Sequence, residues 1–410
     1  MKFRSYDPQK DKKAAYRMCH EVGWVGDGKV GEQAIDAFLK GSRALVAEIN
    51  GEAECLVNSM PGVIRYQDED LPLSAVTAVL TSRIARRQGL AKRLTAQVIA
   101  ADAAEGALVS GLGMFEQGFY NKLGFGTGPY EHWFSFDPGQ LKVKYRAGIP
   151  CRLTKKDWKM VHAASLARRR VHGGANIHPS ELIRAEMGWT KNGFGLGYNN
   201  GPNGELTHFF WGTPNGEYGP YTILFTAYQN RDQFLELMTL LKNLGDQVRQ
   251  VTVREPGGIQ LQDLLDQPFR YRWLSEKGKY ENRARAIAYW QLRICDLPGC
   301  LGRTHLPGNE VQFNLKLTDP IENYLDDNSP WQGISGDYVV TLGSSSGAAE
   351  GVDSSLPTLT ASVGAFTRLW MGALSATSLS ITDNLSGPEE LLETLDRVLC
   401  LPAPKLDWDF

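Results

Sequence analysis

The segment AVTAVLTSRIARRQGLAKRL, Ala75 to Leu94, limits the fold more than any other stretch of the chain. Its apolar first half predicts a strand over 74–80. Its second half predicts a helix over 89–105, in which Leu90, Leu94, Val98 and Ala101 recur at helical spacing and pack one face on a sheet. Between them Arg86, Arg87, Gln88, Gly89, Leu90 and Ala91 turn strand into helix. The first backbone N–H groups of that helix have no internal acceptor, and the helix dipole favours negative charge beside them. Gly89 and Ala91 leave room for close approach, while Arg86 and Arg87 add positive charge. A pyrophosphate fits such a turn. Alone, the same residues also serve a plain helix start with a solvated basic face, so their surroundings decide.

Upstream, a helix is expected around 11–22. Two apolar runs, 43–50 and 52–59, meet at Asn50-Gly51, a dipeptide suited to the positive φ angles of a type I′ hairpin turn. Downstream come a short strand at 107–111, a helix near 116–123 and a strand at 130–136. Residues 137–150 hold Pro138, Gly139, Gly148 and Pro150 and read as a linker. A second unit then repeats the hairpin, helix, strand, helix order without a visible sequence repeat. Its strands over 206–211 and 221–228 flank Asn215-Gly216, and a helix over 233–244, a strand over 248–253 and a helix over 261–266 follow. From about residue 286, strand-like runs at 288–294, 311–317, 337–341 and 358–363 alternate with turns, the Gly/Ser-rich stretch 343–355 reading as a hairpin loop. Helices over 365–375 and 388–400 complete the order.

With 410 residues the chain exceeds one hydrophobic core, and two or three domains are expected. Forty-four basic against 46 acidic side chains, a formal net charge of −2, leave no overall field for nucleic acid or anionic membrane. The N-terminus MKFRSYDPQKDKK lacks the apolar core of a secretory signal, and no run is long and apolar enough to span a bilayer, so a cytoplasmic protein with no membrane or nucleic-acid partner is expected. Cysteines 19, 55, 151, 295, 300 and 400 match no zinc spacing and read as free thiols. The seven histidines stand apart, so no metal site is expected, and Arg168, Arg169 and Arg170 read as a solvated helix face or a subunit contact.

After the helix comes a second motif, EQGFYNKLGFG, Glu116 to Gly126. Strand, Arg-Arg-x-Gly-x-Ala turn, helix and then Phe-Tyr-x-x-Leu-Gly-Phe resemble the GNAT superfamily of acetyl-CoA-dependent N-acetyltransferases. The resemblance implies acetyl-CoA as acetyl donor, backbone groups of Val79 and Thr81 on the pantetheine arm, and Arg86, Arg87, Gly89, Leu90 and Ala91 around the pyrophosphate. Tyr120 would lie beside the thioester sulfur. With the second unit, PTLTASVGAFTRLWMGALSATSL from Pro357 to Leu379 and the closing KLDWDF from Lys405 to Phe410, the chain resembles the Eis (enhanced intracellular survival) family of aminoglycoside acetyltransferases. This likeness implies an α+β chain: tandem GNAT-like mixed-sheet domains over 1–138 and 139–285, followed by a sterol-carrier-like α+β domain over 286–410. It also implies a homo-oligomer, suggestively a hexamer.

By the same likeness Tyr120 is the catalytic acid and the carboxylate of Phe410 the base. A phenol with an ordinary pKa near 10 is protonated at neutral pH and can give its proton to the leaving thiolate. An α-carboxylate near 3.5 is a weak base unless burial raises it, so it also orients the ammonium or relays its proton through water. Asp407, Asp409 and the terminal carboxylate gather negative charge suited to a polyamine or aminosugar. Trp24 and Asp27 are candidates for the same pocket, as a stacking wall and an ammonium partner. Phe115 stands where some members carry a small polar residue, which argues against an identical pocket size. Two other readings stay open: a lysine side chain or peptide N-terminus as acceptor, and a lipid-binding protein using the C-terminal domain.

Overall fold

Asn50 and Gly51 both adopt positive φ, 52° and 91°, and reverse the chain at the expected hairpin. The computed structural model describes residues 1–25 and 29–408. In chain order the first part comprises β1 (Lys2–Ser5), α1 (Pro8–Glu21), α2 (Lys29–Lys40), β2 (Arg43–Ile49), β3 (Glu52–Tyr66), β4 (Glu69–Thr81), α3 (Leu90–Ala104), β5 (Val109–Gly113) and β6 (Gly126–Thr127). The middle comprises β7 (Glu131–Phe136), β8 (Cys151–Leu153), α4 (Trp158–Ala167), β9 (Ala175–Ile177), α5 (Glu181–Trp189), β10 (Phe194–Tyr198), β11 (His208–Pro214), β12 (Tyr221–Ala227), α6 (Arg231–Asn243), β13 (Val251–Arg254), α7 (Pro268–Ser275) and β14 (Arg283–Ile287). The last part comprises β15 (Trp290–Ile294), α8 (Leu297–Leu301), β16 (Val311–Thr318), β17 (Gly336–Leu342), β18 (Gly347–Glu350), β19 (Thr358–Ser362), α9 (Val363–Trp370), α10 (Ala376–Thr382), β20 (Leu385–Ser386) and α11 (Glu389–Val398).

Among the described residues these form three sheets. The first runs β1-β2-β3-β4-β5-β15-β6 with β9 added to β3, the second β14-β7-β13-β12-β11-β10-β8, and the third β18-β17-β16-β19-β20. The fold is mixed α+β, as expected. Three strands cross between sheets, β9 of the middle part among them through its pairing with β3. The strand expected at 130–136 forms as β7 but pairs with β13 and β14 in the second sheet. β15, expected with the last part, lies between β5 and β6 in the first sheet.

Other differences have local causes. The β3–β4 hairpin runs past the expected ends to Tyr66↔Glu69, through Pro61 and Pro72. Gly62 permits this, because a Cβ there would stand 2.4 Å from the Asn176 carbonyl of β9. α2 escaped the pattern reading although Ala34, Ile35, Phe38 and Leu39 are buried at helical spacing. The helix expected at 116–123 shrinks to a single 3₁₀ turn, Tyr120–Leu123, because Gly118 and Gly124 on either side take φ of 92° and 78°. The loop expected at 343–355 contains β18, and the helix expected at 365–375 breaks at Gly372 (φ 68°) into α9 and α10.

α3 covers one face of the first sheet through Leu90, Leu94, Val98 and Ile99, packed on Cys55, Val57, Val76 and Leu112. The opposite face joins α1, α2, α5 and the inner side of the third sheet in one large core. Phe313, Leu315, Val340, Leu359, Phe366 and Leu369 fill the third unit's interior, each contributing about 1.5–3 kcal/mol by burial. α9 also abuts β6, where Gly126 faces Gly364 with no room for a Cβ. No described helix is long and apolar enough to cross a membrane.

Candidate active site

A slot opens between β4 and β5. The two strands pair in parallel from Leu73↔Val109 to Val76↔Leu112 and no further, while β4 continues to Thr81. On the other side of β4 the register with β3 shifts: Asn58 faces Ala78 and Ser59 faces Val76, leaving Thr77 as the extra residue of a bulge. A bulge bends and twists its strand, and here it steers the last residues of β4 away from β5. Beyond Val76 the β5-facing backbone edge of β4, which includes Val79 and Thr81, therefore has no β5 partner.

The slot leads to the basic turn. Arg87 and Gly89 take left-handed conformations, φ 63° and 76°, and Gly89 is the N-cap of α3 without any side-chain cap. For arginine this conformation is uncommon and costs roughly 1–3 kcal/mol. A Cβ on Gly89 would meet no atom within 4 Å, so space lies open in front of it. The first helical bond in α3 runs from the Arg93 N–H to the Gly89 carbonyl, 3.2 Å, which leaves the N–H groups of Leu90, Ala91 and Lys92 at the open end. Arg86 and Arg87 are exposed and have no acidic partner among the described residues. Val79, Thr81, Arg86, Arg87, Gly89, Leu90 and Ala91 thus line one groove of about 1490 Å³, together with Trp24, Phe115 and Phe119. All seven expected donor-binding residues come together there.

Tyr120 lies beneath the groove's aromatic edge. It is 3% exposed and meets Phe119 and Phe115 edge-on, with ring centroids 4.8 and 5.8 Å apart. Burial pushes its phenol well above the usual value of 10, so it stays protonated across the working range. Its hydroxyl has no hydrogen-bond partner among the described residues. Sequence reading did not find what holds its turn. Asn121 accepts from the Gly118 N–H (2.8 Å) and from Gln291 Nε2 of β15 (3.1 Å), and donates to the Phe125 carbonyl (3.0 Å). The fully buried Arg293, also on β15, donates to the Leu123 carbonyl and pairs with Asp319 at 2.5 Å. Asp319 further accepts from the Ile321 and Ile334 N–H groups, which satisfies the buried charge. An Arg two residues from a buried Gln in an apolar strand was the available signal.

The substrate-pocket candidates are only partly described. Trp24 is 47% exposed and closes both the groove and an apolar pocket formed by Val25, Ile35, Phe38, Leu56, Ala78 and Leu80. Phe115, 72% exposed, stands at the groove mouth. Asp27, Asp409 and Phe410 lie outside the described residues.

The segment before Asp409 is docked. Its Lys405 N–H donates to the His172 carbonyl (2.8 Å), and its Leu406 carbonyl accepts from the Ala175 N–H of β9 (2.9 Å). The expectation of a solvated face is corrected here for Arg168 and Arg170, while Arg169 is exposed. Arg168 is buried, bonds Asp407 through Nε (3.0 Å) and Nη2, bonds Asn176 at 2.6 Å, and lies over the Trp408 ring at 5.0 Å. Burial lowers its pKa and Asp407 opposes that effect. Arg170 grips Asp70 with both terminal nitrogens. Guanidinium planarity, which matches a carboxylate fork, explains why these arginines point inward. β9, which holds the Leu406 carbonyl at Ala175, itself pairs with β3 from Ile64↔Ala175 to Gly62↔Ile177. Asp407 and Trp408 line a pocket with Glu186 and Leu224–Thr226.

Residues 9–128 match the family described as "Acetyltransferase (GNAT) domain". The GNAT fold uses acetyl-CoA as its donor. No curated protein matches the sequence. Three solved structures share the fold over 100% of this chain: a probable N-acyltransferase from Enterococcus faecalis V583 (16% identity, 99% of that chain, TM-score 0.79), Eis1 from Mycobacterium abscessus (14%, 100%, 0.76) and a GCN5-related N-acetyltransferase from Anabaena variabilis ATCC 29413 (15%, 100%, 0.75). Among the described residues no cluster of three His, Cys, Asp or Glu side chains is arranged to hold a metal ion.

Proposed function

We propose that this acetyltransferase, whose residues 9–128 form a GNAT domain, moves acetyl from acetyl-CoA to a primary amine of a basic small molecule such as an aminoglycoside or polyamine. The observation that carries the reading is the slot between β4 and β5 beside an uncapped, arginine-flanked helix start, with the buried, protonated Tyr120 under the aromatic edge of the same groove. The pyrophosphate takes the open N–H groups of Leu90, Ala91 and Lys92 and the charges of Arg86 and Arg87. The pantetheine arm lies along the unpaired edge of β4 at Val79 and Thr81, in the manner of an added strand.

At the bulge the amine nitrogen attacks the thioester carbonyl. The C–N bond forms, the C–S bond breaks, and sulfur takes the bonding pair and then a proton from the Tyr120 hydroxyl. The proton lost by the amine balances this transfer. Its acceptor in this reading is the tail carboxylate at Phe410, with Asp409 beside it, and support comes from the docking of Lys405–Trp408 against β9, the strand added to β3, and Arg168. The third unit, of the sterol-carrier-like kind, serves this site as a scaffold: its interior is filled and it supplies Asp319 to the Tyr120 turn.

Acetyl-CoA consumption by purified full chain, screened over aminoglycosides, polyamines and lysine peptides, tests the reading. Turnover with the first two classes, lost on deletion of Phe410, is expected. Turnover with peptides alone would move the acceptor to protein amines, and no turnover with any amine would reject the reading.

A further inference from the structure

Side chains of β3 alternate strictly across the bulge. Cys55 and Val57 face α3, as does Ser59, which bonds Asp102 of that helix at 2.5 Å; Leu56 and Met60 face the opposite core. Asn58 therefore points away from α3 and Tyr120, on the same side as Leu56 and Met60. It is wholly buried, yet neither its Oδ1 nor its Nδ2 has a hydrogen-bond partner among the described residues. Buried amides are almost always bonded, and leaving one unmade is costly, so such a group marks a place where something else binds.

The position is informative. Asn58 pairs with Ala78, the first paired residue of β4 beyond the last β5 contact, so it sits beside the inner end of the slot. At the strand rise of about 3.3 Å per residue, Ala78 is about 10 Å along β4 from Thr81 and the start of the basic turn. Across the slot, Trp290 pairs with Gly113, and its Nε1–H is also buried without a partner. Trp290 belongs to the same core as Leu56 and Met60. On that face β4 carries Ala75 and Ala78, and β5 carries Gly111, opposite Ala75, and Gly113, opposite Trp290.

We propose that Asn58 receives the amine of the acceptor and orients it toward the thioester; this rests on the acetyltransferase reading given above. Tyr120 and Asn58 flank the slot from opposite faces of one sheet, so the leaving sulfur is served from one face and the nucleophile from the other. The carboxamide takes no proton. Its Oδ1 accepts an N–H of the amine while the nitrogen lone pair forms the C–N bond, the C–S pair goes to sulfur, sulfur takes the Tyr120 proton, and the amine's proton leaves to the base. A neutral amide suits this task better than a carboxylate, which would hold the amine as ammonium with no lone pair to offer.

The test uses the full chain with Asn58→Leu, which keeps the volume and removes both polar atoms, and Asn58→Asp, which keeps the shape and adds charge. For Asn58→Leu, kcat/KM for the acceptor should fall about ten- to a hundredfold, the range for one lost hydrogen bond to a substrate, with acetyl-CoA KM unchanged and Tm no lower. Asn58→Asp should displace the rising limb of the kcat/KM profile to higher pH. Amine-induced thermal shifts measured in the presence of CoA should vanish in Asn58→Leu and persist in the parent. Parent-like acceptor kinetics and thermal shift in Asn58→Leu would overturn the proposal, as would equal losses for acetyl-CoA and acceptor. If Asn58→Leu does not fold, Asn58→Ser decides by the same readouts. A parent chain that consumes no acetyl-CoA with any amine contradicts the acetyltransferase reading instead, and the CoA-dependent amine shift still decides the role of Asn58.

Discussion

The chain contains the same β–α–β arrangement twice, and only one copy is left open at its helix start. In the first sheet β4, α3 and β5 form the arrangement; in the second, β12, α6 and β13 do, again with a parallel pair (Tyr221↔Val251) and a register shift in the preceding hairpin, at Trp211/Gly212. The helix starts differ. α3 begins at Gly89 with no side-chain cap and two unpaired arginines beside it, whereas α6 begins at Asn230, whose Oδ1 accepts from the Gln233 N–H at 3.0 Å. Gln233 in turn reaches back to the Gln229 N–H at 2.7 Å, and Asp232 puts negative charge in the first turn. A self-capped, acidic helix start has little left for an anion. The second unit instead contributes Leu224, Phe225 and Thr226 to the pocket that holds Asp407 and Trp408. Of two copies of one scaffold, one thus keeps its helix start open and the other lines the pocket of the docked tail.

The largest effect that would break this division is expected from Tyr120, which has no counterpart role in the second unit. Tyr120→Phe should lower kcat by about 10²–10⁴ with acetyl-CoA affinity unchanged; near-normal turnover would reduce Tyr120 to a core aromatic. Next comes the open helix start. Acetyl-CoA at a hundredfold excess over Kd should stabilise the chain by about 2.7 kcal/mol, and Gly89→Glu should abolish that gain by placing a side chain and a charge in the open space; an equal thermal shift in both would show that the anion sits elsewhere. The mirror experiment is smaller. Asn230→Ala should cost about 1 kcal/mol by urea unfolding and leave the acetyl-CoA shift intact, and a loss of that shift would mean the second helix start also binds the donor.

The smallest expected effect concerns acid. His162, His172 and His208, all in the middle part of the chain, have pKa values lowered by burial. Each imidazole is protonated more readily in the unfolded chain, near 6.5, than in the folded one, so the stability it supports is present above that value and is lost as pH falls through it toward the folded pKa. His172 accepts the Gln67 N–H at Nδ1 (3.1 Å) and contacts the Met371 carbonyl through Nε2 (2.9 Å), joining parts of all three sheets' surroundings while neutral. The urea midpoint should decrease between pH 7.5 and 5.5. A constant midpoint would mean that these imidazoles do not resist protonation.

Sequence alone revealed the hairpin at Asn50-Gly51, the strand and helix around Arg86–Ala91, and the groove that gathers Val79 to Ala91, because local periodicity and backbone chemistry specify them. It did not reveal that β7 and β15 exchange sheets, since their patterns say "strand" without naming a partner. The inward-facing Arg168 and Arg293 were equally hidden. An arginine reads as exposed until its carboxylate is found, and Asp407 and Asp319 lie 239 and 26 residues away. Asn58 looked like one polar residue in a strand, because an orphaned amide is a property of what surrounds it.

The exchange of β7 and β15 has a consequence in time. The Tyr120 turn is pinned by Gln291 and Arg293, and the Arg293 bond to Leu123 spans 170 residues. At ribosomal speeds of about 5–20 residues per second, the nascent chain carries this turn for roughly 10–30 s before its clamp is even synthesised. The Tyr120 turn therefore matures late, only after the part of the chain that carries Gln291 and Arg293 has been made.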